Sequence, residues 1–568
     1  MSIFRLKKLT LAYGEHQILR DIFFRLGASE RVALMGSNGS GKSSILKLIV
    51  RHAMERTQGT QSTRVEGEGE VPEVDGEVEL NHDVKVGYFS QFSRLDDERS
   101  VEEILLDTFS EIRAWETELS SIEVSMGEGL EGDELQRLLL RQGDLFELMT
   151  QRDGWSYANN IDTVLTKLGF SGEHRTRPVG ELSGGWRNRA SLAQILLEEP
   201  DLLLLDEPTN FLDVEGIAWL EGWIARLPGA VIAVSHDRHF LDSVVSRMVE
   251  IQNYRLHEYS GSYADYVREK ASAARSLSKE FRHEEELLLF EASTISSRKR
   301  ARSGEQLAKK KARIKRGGET PTVDSIVSGV YAKLHIPQAL AEFNELSSSR
   351  GGCLLFEGLS FELKRGDRVI IVGRNACGKS TLLQVIMQEL KPDTGEVIWK
   401  PGVRFSSFTQ VLEELDPSAR LLQCAMTAPQ QFLEPHEMPS QKSVLRFLRM
   451  MGFSELDLQL RVSALSGGQR ARLALAWCLT SGPAVVILDE PTNHLDIRSA
   501  QIMERALAKF PGAVLAVSHD RFFVDKVARR LLVFEEGGKV ALHGGGWTAF
   551  DARRARKLAD ARRSKKSN

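Results

Sequence analysis

Apolar residues along this chain fall into two recurring arrangements. Short unbroken runs end in a glycine or a carboxylate: Val32-Ala33-Leu34-Met35 before Gly36, Leu202-Leu203-Leu204-Leu205 before Asp206, and Val485-Val486-Ile487-Leu488 before Asp489. Unbroken apolarity over so few residues predicts strands buried on both faces, as in a parallel sheet. Elsewhere the spacing is helical. Ile112, Trp115, Leu119 and Ile122 are followed by a Gly-rich break at 127–132, and Leu135, Leu138, Leu139, Leu145 and Leu148 resume the pattern. This predicts a helical hairpin over residues 112–150. A charged helix is expected over 263–292, a break over 293–303 and a second helix over 306–315. No apolar run approaches the ~18 residues of a membrane helix, and the first eight residues read as a strand rather than a secretory leader.

The strand-ending residues recur as a set. Gly36-Ser37-Asn38-Gly39-Ser40-Gly41-Lys42-Ser43 is followed by Leu182-Ser183-Gly184-Gly185-Trp186, Leu205-Asp206-Glu207-Pro208 and Ser235-His236-Asp237. The second set is Gly373-Arg374-Asn375-Ala376-Cys377-Gly378-Lys379-Ser380, Leu465-Ser466-Gly467-Gly468-Gln469, Leu488-Asp489-Glu490-Pro491 and Ser518-His519-Asp520. From the LSGG run to the aspartate is 24 residues in both copies, 182 to 206 and 465 to 489. From the aspartate to the histidine is 30 in both, 206 to 236 and 489 to 519.

Composition narrows the picture. The 568 residues suffice for two or three domains. With 75 Lys and Arg against 79 Asp and Glu, the net charge is only -4, so any affinity for nucleic acid must reside in local patches. The four cysteines, Cys353, Cys377, Cys424 and Cys478, lack metal-binding spacing and form no disulfide framework, which suits a reducing, cytoplasmic compartment.

The motifs carry phosphate chemistry. A glycine-rich loop between strand and helix lets backbone N–H groups wrap a phosphate chain. Lys42 and Lys379 reach the β and γ phosphates, and the Ser43 and Ser380 hydroxyls, each followed by another hydroxyl residue (Ser44, Thr381), coordinate Mg2+. A buried strand delivers Asp206 and Glu207, or Asp489 and Glu490, at its C-terminal end. The aspartate holds the metal's water shell, and the glutamate polarises the attacking water as general base. ATP and Mg2+ are the expected cofactors.

LSGG runs joined to phosphate loops resemble the ABC ATPase superfamily. The resemblance implies an α/β fold of two tandem ABC-type P-loop ATPase cassettes joined by a helical linker, with a helical hairpin arm in the first cassette. It also implies that each Ser-Gly-Gly sits at a helix N-terminus and caps the γ-phosphate bound by the opposite cassette. Site one would then pair Lys42, Gln91, Asp206, Glu207 and His236 with Ser466-Gly467-Gly468. Site two would pair Lys379, Gln410, Asp489, Glu490 and His519 with Ser183-Gly184-Gly185. Gln91 and Gln410 match the family's metal- and water-sensing glutamine, and Tyr13, 23 residues before Gly36, matches its adenine-stacking aromatic. The same count back from Gly373 reaches Arg350. With Phe211 where the second copy has His494, Trp186 for the usual Gln, and Ala376-Cys377 in the second loop, the two sites are expected to be unequal.

Comparing the copies locates two insertions in the first: a Gly-, Glu- and Val-rich stretch around 55–79, expected as a surface loop, and the hairpin. Between 298 and 316, ten residues are Lys or Arg and only Glu305 is acidic. Arg298, Lys299, Arg300, Arg302, Lys309, Lys310 and Lys311 there form a candidate RNA-contact surface. Twin cassettes, the arm and a basic helical connector resemble the ABC-F family. That resemblance implies a ribosome partner with rRNA and tRNA contacts, as a translation factor or an antibiotic-protection factor, without membrane insertion, as a monomer whose cassettes pair within the chain. A fused ATPase subunit of a transporter with a separate permease is the alternative. The expected domains are 1–266 (first cassette), 267–342 (basic connector), 343–552 (second cassette) and 553–568 (a short basic tail).

Overall fold

The computed structural model describes residues 2–14, 16–58, 73–90, 95–127, 133–276, 330–331, 335–493 and 495–556. The basic stretch 298–316, Gln91, His494 and the tail beyond 556 lie outside the described residues.

Each cassette contains a six-stranded sheet with the same strand order. In the first, Val86–Phe89, Leu202–Asp206, Ala230–Val234 and Arg31–Gly36 lie side by side, followed by Arg247–Gln252 and Arg255–Ser260. In the second, Phe405–Ser407, Val485–Asp489, Ala513–Val517, Arg368–Val372 and Arg530–Phe534 run parallel, and Val540–Gly544 closes the edge antiparallel. Leu202 to Leu205 and Val485 to Leu488 are all buried, as their unbroken apolarity predicts. Both carboxylate pairs therefore emerge at the C-terminal edge of a parallel sheet, beside the phosphate loops.

A second sheet, antiparallel and three-stranded, packs on each cassette: His16–Gly27, Ser2–Tyr13 and Glu73–Leu80 in the first, Cys353–Lys364, Ala339–Arg350 and Thr394–Trp399 in the second. Its apolar face and the phosphate-loop helix enclose one core per cassette. The expected surface loop around 55–79 is corrected at its two ends, and its middle, 59–72, lies outside the described residues. The helix Lys42–Gln58 runs into it, and Glu73–Leu80 is a strand. Val74 and Val78 pair with Leu11 and Leu6, and the Arg56 guanidinium donates to the Leu80 carbonyl. Alternation in Val74-Asp75-Gly76-Glu77-Val78 carried the strand signal, which the Gly and Glu content obscured.

The helices Ser110–Gly127 and Asp133–Gln151 pack through Ile112, Leu119, Ile122, Leu145 and Met149. Arg141 grips Glu118 across the pair at 2.7 and 2.9 Å. Leu139, placed by spacing on the inner face, is instead 51% exposed, and the inner position belongs to Met149.

Two compact units emerge, and they do not follow the chain. The first comprises Met1–Met35, Gly41–Ser235 and Val249–Glu258; the second comprises Gly36–Ser40, His236–Met248 and Tyr259–Asn568. No described helix is long and apolar enough to cross a membrane.

Candidate nucleotide sites

In the first cassette, Lys42 opens the helix after the loop and is only 8% exposed. Gly41, at φ 99°, packs so closely on Ile18 that a Cβ would collide with that side chain. Burial raises the Asp206 carboxyl above its ordinary pKa, opposed by a hydrogen bond from the Ser43 hydroxyl and by Lys42 and Lys47. Ser43 and Asp206, two of the three expected metal ligands of this site, thus already touch, and the third, Gln91, lies outside the described residues. The Tyr13 hydroxyl donates to Ser44 Oγ at 3.3 Å, which puts the aromatic at the root of the loop helix.

The second loop repeats this with substitutions. Gly378, at φ 105°, sits so close to Leu355 that a Cβ at this position would stand 2.8 Å from Leu355 Cβ. Ala376 holds φ 62° where the first loop has Gly39 at 81°. For a residue that carries a side chain, that conformation costs roughly 1–2 kcal/mol. Lys379 is 8% exposed, and its ammonium donates to the Gly373 carbonyl at 3.1 Å and the Arg374 carbonyl at 2.7 Å. Arg350 ends its strand opposite Cys353 as Tyr13 ends its strand opposite His16, so the guanidinium occupies the aromatic's position in the repeat.

Both strand-end glutamates have left-handed backbones, Glu207 at φ 52° and Glu490 at φ 42°. Each N–H is tied to the neighbouring strand, to Val234 O at 2.9 Å and to Val517 O at 3.0 Å. Glu490 Oε2 accepts from the His519 N–H at 3.2 Å, and Oε1 lies 3.5 Å from His519 Nε2. The side chain keeps 22% of its surface open, yet the carboxyl lies among buried groups. Burial pushes it up to about 7 against the pull of Lys379 and the His519 N–H, while Asp489 and Asp520 add to the rise. Asp237 and Asp520 cap the helices that follow, Arg238–Val244 and Arg521–Val527, by accepting two backbone N–H bonds each.

Each signature serine is the N-cap of its helix, Ser183 for Gly184–Leu197 and Ser466 for Gly467–Thr480. Within the second unit, Asn38 Nδ2 of the first phosphate loop lies 3.6 Å from the point where a Cβ on Gly468 would stand. In the same unit, burial raises Asp496, but bonds from Ser499 with Arg472 and His236 hold it below the usual carboxylate range. Gln410 is placed differently from expectation. It lies on the short helix Phe408–Glu414, and its amide donates to Glu389 at 2.5 Å rather than to Asp489 or Ser380.

The buried lysines, the tight left-handed loops and the Ser43–Asp206 contact suit a magnesium-bound nucleoside triphosphate, whose phosphate oxygens would supply the remaining metal ligands.

Sequence reasoning missed a fully buried ionic cluster in the second unit. The Arg238 guanidinium bonds Glu504 through both terminal nitrogens, approaches Asp520 at 3.4 Å and lies 5.0 Å over the Phe522 ring. Lys526 reaches the same Glu504 at 3.2 Å. The only signal was an arginine directly after Ser-His-Asp in both copies, Arg238 and Arg521.

A model of the ABC transporter family matches residues 19–210 and 356–493. The energy-dependent translational throttle protein EttA of Haemophilus influenzae is 30% identical over 561 residues, which cover 96% of this chain and 94% of that protein. Its Escherichia coli K12 counterpart is 31% identical, covering 96% and 95%. Among solved structures, the archaeal ribosome recycling factor aABCE1, in complex with stalk protein aP1, shares the fold at TM-score 0.58 and 18% identity, over 94% of this chain and 90% of that one. Two family matches, each carrying a phosphate loop, a signature run and an acidic strand end, together with alignment over nearly the full length of both EttA proteins, mean that the chain belongs to the ABC ATPase family, as a twin-cassette member of its ABC-F group.

Proposed function

We propose that this protein is a ribosome-acting ATPase whose nucleotide-driven closure moves its basic connector against RNA. The observation that carries the ribosome assignment is the alignment with two translational throttle proteins across nearly the whole chain. Lys42 and Lys379 hold the β and γ phosphates, with the loop amides of 36–41 and 373–378 around them. Ser43 and Asp206 in one site, and Ser380 and Asp489 in the other, would hold magnesium, which would supply charge neutralisation on the phosphates. Glu207 and Glu490 take the proton of the attacking water, and His236 and His519 orient them. The products are ADP and phosphate. Tyr13 stacks on adenine in site one and Arg350 replaces it in site two.

Ser466-Gly467-Gly468 complete site one and Ser183-Gly184-Gly185 complete site two, a pairing supported by the approach of Asn38 to Gly468. Closure thus couples two ATPs to one movement inside a cytoplasmic monomer. The residues Arg298, Lys299, Arg300, Arg302, Lys309, Lys310 and Lys311 contact rRNA or tRNA when it closes.

The test is cosedimentation of the Glu207→Gln/Glu490→Gln variant with ribosomes. ATP-dependent retention on ribosomes is expected, because both bases are gone and closure cannot reverse by hydrolysis. A variant that traps ATP yet stays off ribosomes would overturn the assignment and direct attention to a membrane or DNA partner.

A further inference from the structure

The two signature helices begin with the same backbone and different side-chain chemistry. Ser183 has φ -65° and ψ 157°, and Ser466 has φ -63° and ψ 161°. Ser466 nevertheless closes a full capping box. Its hydroxyl accepts from the Gln469 N–H at 3.2 Å, and Gln469 Oε1 accepts from the Ser466 N–H at 2.9 Å. Ser183 makes no side-chain cap bond.

The difference accompanies a paired exchange. Gln469 is held on its far side by Asp457, to which Nε2 donates at 3.2 Å, and Asp457 accepts from the Ser454 hydroxyl at 2.7 Å. The corresponding residues of the first cassette, at one constant spacing (171 and 454, 174 and 457, 183 and 466, 186 and 469), are Ser171, His174, Ser183 and Trp186. Ser171 Oγ bonds His174 Nδ1 at 2.6 Å, and the His174 ring stacks on Trp186 with centroids 4.3 Å apart and planes at 24°. Phe170 at 5.0 Å and the Arg189 guanidinium at 4.5 Å flank the indole. An indole has one N–H donor and no acceptor, so it cannot return a bond to the serine N–H. Two positions changed together, from a hydrogen-bonded Gln–Asp pair to a stacked Trp–His pair.

We propose that Trp186 and His174 are positioning residues that keep the first-turn N–H groups of Ser183 and Trp186 uncommitted, so that the first cassette's signature offers these donors to a γ-phosphate without first breaking a cap. The second cassette's signature must release the Ser466 and Gln469 N–H groups from their cap bonds to do the same, whereas the serine hydroxyl can donate in either cassette. The inference rests on the cross-pairing given under Proposed function, by which Ser183 serves the site of Lys379 and Glu490, and Ser466 serves the site of Lys42 and Glu207. The site of Lys379 therefore closes at lower ATP than its partner, despite the strained Ala376 and the missing aromatic.

The test isolates each site in the full chain without ribosomes. In a Glu207→Gln background, turnover comes from the site of Glu490. Installing the box with His174→Asp and Trp186→Gln should lower kcat/KM there about fivefold, the factor that a side-chain cap of average strength represents. The reverse exchange, Asp457→His with Gln469→Trp in a Glu490→Gln background, should raise kcat/KM of the other site by a similar factor. It also keeps the idea testable if the first pair folds poorly. Trp186→Phe, which still stacks and still cannot cap, should retain the parent value. Both exchanges leaving turnover within twofold would sink the capping competition. If the first exchange instead altered turnover in the Glu490→Gln background, the cross-pairing beneath it would be wrong, a failure that is independent of ribosome binding.

Discussion

Glu490 combines an unfavourable backbone with an unfavourable charge. A left-handed glutamate costs on the order of 1–3 kcal/mol and persists only where surroundings over-determine it; here the Val517 carbonyl and the His519 N–H fix it from two sides. The carboxyl feels the charge of Lys379, and burial brings it to about 7. A general base must be ionised to act, so a raised value means lost activity on the acid side. In a Glu207→Gln variant, kcat/KM should fall about tenfold per pH unit below roughly 7 and level off above it, as the free enzyme's essential base dictates. A flat profile between pH 5.5 and 8 would show that Glu490 does not govern the rate. The carboxylate, lysine and serine positions were legible in the sequence because each motif states a chemical need at fixed spacing. The left-handed glutamates and the Gln410–Glu389 bond were not, since they depend on neighbours more than 20 residues away in the chain.

Among the elements, the helical hairpin shows where periodicity suffices and where it fails. Its existence followed from apolar spacing, whereas its rotation did not. Leu139 and Leu140 form a longer apolar run with Leu138, and only tertiary packing decides which of them faces inward. Leu145 is completely buried between the two helices. Leu145→Ala should therefore cost roughly 2–5 kcal/mol of local stability, read as faster amide exchange in Ser110–Gly127 and Asp133–Gln151, with ATP turnover unchanged. Loss of ATP turnover together with that exchange would mean that the hairpin supports the cassette itself. The strand Glu73–Leu80 makes the converse point. Its four carboxylates mask an alternation that pairing with Ser2–Tyr13 exposes, partly through the Lys7 contacts to Glu77 and Glu79.

At the scale of the molecule, the sequence repeat and the compact units disagree, because Gly36–Ser40 and His236–Met248 belong with the second unit. The ionic cluster accounts for the second of these. Arg238 and Glu504 are both 0% exposed, and removing one member of a buried pair strands the charge of the other. Glu504→Ala, which removes the buried carboxylate that Arg238 and Lys526 share, should lower unfolding stability by about 3–5 kcal/mol, measured by denaturant titration. A loss below about 1 kcal/mol, typical of an exposed pair, would contradict the burial. The same separation bears on how the chain comes into being. Arg238 precedes Glu504 by 266 residues, so at synthesis rates of about 5–20 residues per second it is polymerised roughly 13–53 s before its partner exists. For that interval the helix Arg238–Val244 must keep its guanidinium in water, and the nascent first cassette cannot finish folding on its own schedule.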